Sequence, residues 1–171
     1  RNFLLAIAVA QELDVSIQDL RHLHVKIPSG RSNFLKIGGV TLMDETYNAS
    51  PESVIASLDL LISKPGRHFA VLGTMMELGE QSIYLHRYIV EHAVHLDLDG
   101  LVIVSEGAEA NAMLEASASL VNVALTSTPD DAFEVLKSWL ETGDIVLLKA
   151  SRAVSLERMI PMLKDNYSLA S

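Results

Sequence analysis

The sequence predicts an α/β fold, a mainly parallel sheet flanked by helices with an N-terminal hairpin strand. Three observations carry that expectation. Short apolar runs of strand length recur along the chain (GVTLM, HFAVLG, LVIV, IVLLK). Each is followed by a stretch with amphipathic helical spacing, and polar or glycine-containing breaks separate them. Strands that are apolar on both faces need cover on both faces, which alternating helices provide.

Residues 2–13 are rich in Ala and Leu and predict a helix. Residues 16–20, with Ser16 near the cap, predict a short second one. Neither is followed by a strand of its own. The chain opens on Arg1 without an initiator Met or the layout of a signal peptide, so it reads as a piece of something longer. Ile27-Pro28-Ser29-Gly30-Arg31-Ser32-Asn33 reads as a linker into the principal domain. Residues 34–37 and 40–46 are expected to pair as a hairpin across Gly38-Gly39. Pro51 suits the first position of a helix over 51–62, with Ser50 as its N-cap and Glu52 and Ser53 in the first turn. There follow a strand at 68–73, a helix at 81–96, a strand at 101–104, a helix at 108–117 and a weaker strand at 122–125. A helix at 130–140 carries Phe133 and Trp139, and a strand at 144–149 and a closing helix at 155–163 complete a Rossmann-like unit.

Composition narrows the function. The chain has 171 residues and 49% hydrophobic content, enough for one domain with a sizeable core and some additional structure. Thirteen Lys plus Arg against 22 Asp plus Glu give a formal charge of -9, the wrong sign for general attraction to nucleic acid or anionic lipid. Any bound phosphate must be held by local basic residues. No Cys is present, which excludes disulfides and thiolate metal sites and fits a cytoplasmic protein. No apolar run approaches the length of a membrane span, so no membrane insertion is expected.

In sheets of this kind ligands sit beyond the carboxyl ends of the strands. Asp44-Glu45-Thr46-Tyr47-Asn48-Ala49-Ser50-Pro51 lies at such an end, where a strand stops and a helix N-terminus begins, a junction suited to an anion or a hydroxyl-rich ligand. The competing reading is that Asp44, Asn48 and Ser50 only satisfy turn and cap hydrogen bonds. Gly73-Thr74-Met75-Met76-Glu77-Leu78-Gly79-Glu80 follows the second buried strand. Its glycines allow a tight loop but lack dinucleotide-fingerprint spacing, and the alternative is a plain connection with solvated Glu77 and Glu80. Lys149-Ala150-Ser151-Arg152 follows the last strand and sets two cations and a hydroxyl where an anionic group can dock. Its alternative is surface pairing of Lys149 and Arg152 with Glu157, Asp144 or Glu141. Arg31 can likewise be a mobile surface charge. Six histidines, including His22-x-His24 and His92-x-x-His95, do not form a recognised ligand set, so no metal site is expected. There is no Gly-x-Ser-x-Gly elbow, and no Gly-x-x-x-x-Gly-Lys-Ser/Thr phosphate loop.

Taken together, Gly30-Arg31-Ser32, the 44–51 segment, the 72–80 segment with His86, and Lys149-Ala150-Ser151-Arg152 resemble the C-terminal domain of MurF-type enzymes in the Mur ligase family. The resemblance spans residues 30–152, and four motifs in order are far more specific than any one. It implies an ATP- and Mg²⁺-dependent ligase that joins D-alanyl-D-alanine to UDP-N-acetylmuramoyl-tripeptide through an acyl phosphate. On this reading residues 1–29 are the last helices and linker of the family's central ATPase domain, and 30–171 are the C-terminal domain that closes over it. The resemblance implies that Arg31, Asp44, Tyr47 and Asn48 approach the nucleotide, and that Lys149, Ser151 and Arg152 border the incoming dipeptide. Ser50, Glu77, Glu80 and His86 are further candidates without an assigned role. Lacking the phosphate loop, the chain by itself is expected to carry no catalytic residue, to be inactive and to bind no cofactor tightly. A ligase of the folylpolyglutamate or cyanophycin synthetase type, and a non-enzymatic Rossmann-like binding module, remain as alternatives.

Overall fold

The computed structural model describes residues 2–15, 30–31 and 33–168. The expected helix at 16–20 and most of the 27–33 linker lie outside the described residues. Helix α1 (Asn2–Glu12) forms where its Ala and Leu content predicts. It leaves Leu4, Leu5 and Val9 exposed, as is Leu13 just beyond it.

Strands β1 (Asn33–Ile37) and β2 (Val40–Glu45) pair antiparallel with Ile37 opposite Val40. Only Gly38 and Gly39 lie between them, both at positive φ (52° and 89°). A two-residue hairpin turn whose twist matches its strands requires this conformation, and it explains the glycine pair. Helix α2 (Pro51–Ile62) begins as expected. Ser50 Oγ accepts from the Ser53 N–H at 3.4 Å, while Ser53 Oγ accepts from the Ser50 N–H at 2.9 Å, a reciprocal cap.

Strand β3 (His68–Gly73), helix α3 (Ser82–His95), strand β4 (Gly100–Val104), helix α4 (Gly107–Ala116) and strand β5 (Val123–Thr126) continue the alternation. Helix α5 (Pro129–Trp139), strand β6 (Ile145–Lys149) and helix α6 (Met159–Ser168) finish it. The closing helix starts later than the 155–163 expected. Ser155 adopts a left-handed conformation (φ 59°) between two 3₁₀ turns, Arg152–Val154 and Leu156–Arg158, and this blocks a continuous α-helix from its position.

The six strands are ordered β1-β2-β6-β3-β4-β5, and every pair except β1-β2 is parallel. From β2 the chain steps in one direction through β3, β4 and β5, then reverses to insert β6 between β2 and β3. Right-handed crossovers therefore put α2, α3 and α4 on one face and α5 on the other. Two buried clusters record the division. One joins Met43, Leu72, Ile103 and Leu147 to Val54, Leu58, Ile89 and Met113. The other joins Leu42, Val71, Val102 and Leu148 to Phe133, Leu136, Met159 and Leu163. Adjacent strand residues thus feed opposite cores, which is why the runs read as continuously apolar. Truncating one such side chain to Ala costs about 2–5 kcal/mol.

Candidate functional site

Inserting β6 between β2 and β3 brings three carboxyl-end loops together at the point where strand order reverses. Lys149 at the end of β6 lies opposite Glu45 on one side and Leu72 on the other. Beyond these ends is a crevice of about 400 Å³ lined by Asn48, Ala49 and Ser50 from the first loop, Met76, Glu77 and Leu78 from the second, and Ser151, Arg152 and Ala153 from the third.

The first loop is shaped by Asp44, which is 1% exposed. Its Oδ1 accepts from the Thr46 backbone N–H at 3.2 Å and the Thr46 hydroxyl at 2.7 Å, and its Oδ2 accepts from the Gly30 N–H at 3.1 Å. The Gly30 carbonyl in turn accepts from Tyr47 N–H at 3.0 Å. Gly30 sits at φ 79°, and a Cβ there would come within 2.8 Å of the Tyr47 nitrogen, so only glycine fits. Asp44 is therefore turned inward. It fastens the Gly30-Arg31 segment to the end of β2, and its carboxylate faces this bend.

That fastening sets Arg31 beside Tyr47, the guanidinium carbon 4.3 Å from the ring centroid. Arg152, from the third loop, lies 5.7 Å from the same centroid. Both distances allow cation–π attraction. Neither arginine has a carboxylate partner among the described residues. Arg31, expected beside the nucleotide, and Arg152, expected beside the dipeptide, thus meet at one partly exposed aromatic ring.

Lys149 is 3% exposed. Its ammonium donates to the Asn48 carbonyl at 3.2 Å and lies 3.6 Å from Glu45 Oε2. Burial holds Lys149 below the usual lysine range; Glu45 pulls it back up and nearby Arg31 pushes it further down. Lys149 ties the first loop to the third from beneath. Asp144 and Glu141, considered from sequence as partners of Lys149 and Arg152, pair instead with Arg67 at the amino end of the sheet. Ser151 N–H donates to the Thr74 carbonyl at 3.0 Å, joining the third loop to the second. Its hydroxyl is buried and has no hydrogen-bond partner.

His86 is fully buried on α3, behind the second loop. Its Nε2 accepts from the Met75 N–H at 2.8 Å, so the proton is on Nδ1, which donates to the Ser82 carbonyl at 2.7 Å. Both ring nitrogens are occupied, and the ring fixes where the loop leaves β3. Ser82 also donates to Glu109 Oε1 at 2.8 Å; that bond holds Glu109 below the usual carboxylate range. Glu77 lines the crevice at φ 63°, and Glu80 is exposed in the 3₁₀ turn Gly79–Gln81. His92 pairs with Asp59 at 2.7 Å. Among the described residues no group of three His, Asp or Glu side chains can hold a metal ion.

Of the sequence candidates, Asn48, Ser50, Glu77, Ser151 and Arg152 line the crevice, with Tyr47 and Arg31 stacked beside Arg152. Asp44, Lys149 and His86 stand behind it as supports, and Glu80 is not among the lining residues. Three participants were missed from sequence: Glu45, Thr46 and Ser82. The Asp44-x-Thr46 spacing is a local turn signal that could have revealed the second. Glu45 is linked to Lys149 only through strand register.

Comparison with known proteins bears on the same segment. The family described as Mur ligase, glutamate ligase domain, matches residues 30–152. A Synechocystis sp. protein named UDP-N-acetylmuramoyl-tripeptide--D-alanyl-D-alanine ligase is 39% identical over 165 residues, covering 95% of this chain and 36% of that protein. The structure of MurF ligase from Thermotoga maritima in complex with ADP superposes with a TM-score of 0.75 and 34% identity, covering 96% of this chain and 37% of that one. A bifunctional folylpolyglutamate synthase/dihydrofolate synthase from Yersinia pestis, at 18% identity and a TM-score of 0.64, shares the fold alone. The chain spans little more than a third of the length of the relatives it matches. Because the match runs from the glycine fastened by Asp44 to the arginine of the third loop, this chain belongs to the Mur ligase, glutamate ligase domain family.

Proposed function

We propose that this chain is the C-terminal nucleotide- and substrate-closing part of an ATP-dependent ligase that joins D-alanyl-D-alanine to UDP-N-acetylmuramoyl-tripeptide in peptidoglycan precursor synthesis. The observation that carries the reading is the meeting of Arg31, Tyr47 and Arg152, two cations without carboxylate partners among the described residues, beside a crevice at the strand switch point. It is supported by 39% identity across 95% of the chain to a relative of that name.

The chemistry assigns the parts. A carboxylate is a poor acyl donor, and phosphorylation by ATP supplies the leaving group that lets an amine displace it. Arg31 and the face of Tyr47 suit an anionic, aromatic ligand such as the nucleotide. Asn48 lies beside them, and Asp44 acts through Gly30 and Arg31 as a positioning residue. Arg152 and the unpartnered Ser151 hydroxyl suit the dipeptide, with Lys149 holding their loop against Asn48. The described residues do not fit a metal site, so the Mg²⁺ accompanying ATP belongs with the nucleotide and the rest of the complete protein.

The phosphate loop likewise belongs to that remainder, since none occurs in these 171 residues. The domain division, with 1–29 ending a central ATPase domain and 30–171 forming the closing domain, is part of the same proposal. The exposed apolar residues of α1 support it, because such a helix wants cover. A cytoplasmic setting goes with it, supported by the Cys-free sequence. Among the described residues no helix is long and apolar enough to cross a membrane.

The test is ADP release by the complete ligase. Turnover should require both the muramoyl tripeptide and D-alanyl-D-alanine, and glutamate should not replace the dipeptide. Preference for glutamate would move the chain to a different ligase type. This chain alone should neither hydrolyse ATP nor bind it tightly, and tight binding by calorimetry would overturn the division of labour.

A further inference from the structure

The crevice contains one anion that the proposed chemistry has not used. Glu77 lines it, at φ 63°. Left-handed backbone disfavours any side chain with a Cβ, and Glu77 adopts it at the crevice, as Asp14, Asp97 and Ser155 do elsewhere. Two residues on, Gly79 takes φ 58° with nothing within 4 Å of where a Cβ would be. The loop thus uses glycine where only backbone freedom is required, and glutamate where the chain faces the crevice. Fold stability does not account for the carboxylate, since Glu77 has no ion pair or hydrogen bond among the described residues.

On the loop after β6, Arg152 lines the same crevice and has no carboxylate partner among the described residues, Glu77 included. Near Arg152 the Ser151 hydroxyl is buried and unsatisfied, a polar group awaiting a partner. Ala49, Leu78 and Ala153 add apolar lining to the same crevice. A ligand that matches this lining carries a cation, an anion and small apolar groups.

We propose that Glu77 receives the ammonium of a small zwitterionic substrate whose carboxylate docks on Arg152, with the Ser151 hydroxyl on the same side as the arginine. Naming that zwitterion as D-alanyl-D-alanine rests on the function proposed above. The arrangement gives the crevice a polarity. The amine end faces the Thr74–Gln81 loop that His86 fixes through Met75, and the acid end faces the loop after β6. A dipeptide with a blocked amine loses the first anchor and keeps the second.

The experiment is a binding cycle in the complete ligase. Inhibition constants of N-acetyl-D-alanyl-D-alanine are compared with the KM for the free dipeptide, in wild type and in Glu77→Gln. A second variant, Glu77→Gly, relieves the left-handed backbone and so separates loop strain from charge. Both variants should raise KM for D-alanyl-D-alanine about tenfold, the scale of one charge-assisted contact near solvent, while KM for ATP stays within about twofold. Binding of the N-acetyl compound should not change, so the preference for the free amine collapses. Equal weakening of both compounds, or an unchanged KM, overturns the assignment of Glu77. Wild-type enzyme that ligates a different amine overturns the choice of D-alanyl-D-alanine instead, and the same cycle run on that amine and its N-acetyl form then decides the role of Glu77.

Discussion

Asp44 and Asp144 are buried carboxylates at opposite ends of the neighbouring strands β2 and β6, and their surroundings differ. Asp144 accepts from Arg67 Nε at 2.9 Å and Nη2 at 2.8 Å, and from the Glu141 N–H at 2.6 Å. The same guanidinium reaches the Trp139 carbonyl and Glu141, so the amino end of the sheet is a closed network. Among the described residues Asp44 accepts from the neutral donors of Gly30 and Thr46. Around it Lys149 pairs with Glu45 and the Asn48 carbonyl, but Arg31 and Arg152 are stacked on a ring and the buried Ser151 hydroxyl has no hydrogen-bond partner among the described residues. A fold selected only for stability would close both ends alike. Among the described residues the buried side-chain atom without a hydrogen-bond partner lies at the carboxyl end, which agrees with the ligand site proposed there.

The largest expected effect comes from opening the closed end. Asp144→Ala strands the Glu141 N–H and removes the bidentate acceptor, and should cost about 3 kcal/mol in urea unfolding. Substrate KM values of the complete ligase should not change at temperatures where the variant is folded, and a change would break the contrast. Asp44→Ala should cost roughly 2 kcal/mol by the same measurement, because the Gly30 N–H and Thr46 lose their acceptor. It should also raise KM for ATP by loosening Arg31, and an unchanged value would make Asp44 as purely structural as Asp144.

Arg152→Ala should raise KM for D-alanyl-D-alanine about tenfold, near 1.4 kcal/mol, and disturb ATP less. Kinetics in the opposite order would remove Arg152 from the amine-substrate side. Ser151→Ala should move stability the other way, gaining up to about 1 kcal/mol by deleting an unsatisfied hydroxyl, while dipeptide use falls. The smallest effect is electrostatic. Lys149 binds its proton less readily folded than unfolded, so in the window below the ordinary lysine value of about 10.5 the unfolded chain holds more protons. Stability relative to Lys149→Met should therefore rise as pH rises through that window, measured by unfolding midpoints between neutral and alkaline buffers. A difference that falls over that range would contradict the buried charge.

Much of the fold was legible because its strands are buried on both faces. Residues 144–149 read as a strand without knowledge of their neighbours, and the structure has it at Ile145–Lys149; Gly38-Gly39 announced the hairpin by the backbone conformation that turn demands. Ser50 and Pro51 likewise declared the start of α2. The late start of α6 was hidden because nothing in Ser155 signals a left-handed residue. At the crevice, residue types named the three loops that line it but not which side chains face it. Asp44 looked like a ligand group because a carboxylate at a strand end usually is accessible; its inward turn follows from Gly30, distant in sequence. The contact of Lys149 with Glu45 depends on β6 entering beside β2, and local spacing holds no record of that.

The placement of β6 also has a consequence for how the protein is made. Of the six strands of this sheet it is the last to leave the ribosome, and it belongs in the middle of the sheet. Until residues 145–149 are available, β2 and β3 each present an unpaired edge, so the nascent chain holds a split sheet with two sticky rims. A ribosome stalled before this point would display an aggregation-prone intermediate. Completion of the last strand is then the event that both seals the domain and assembles the crevice.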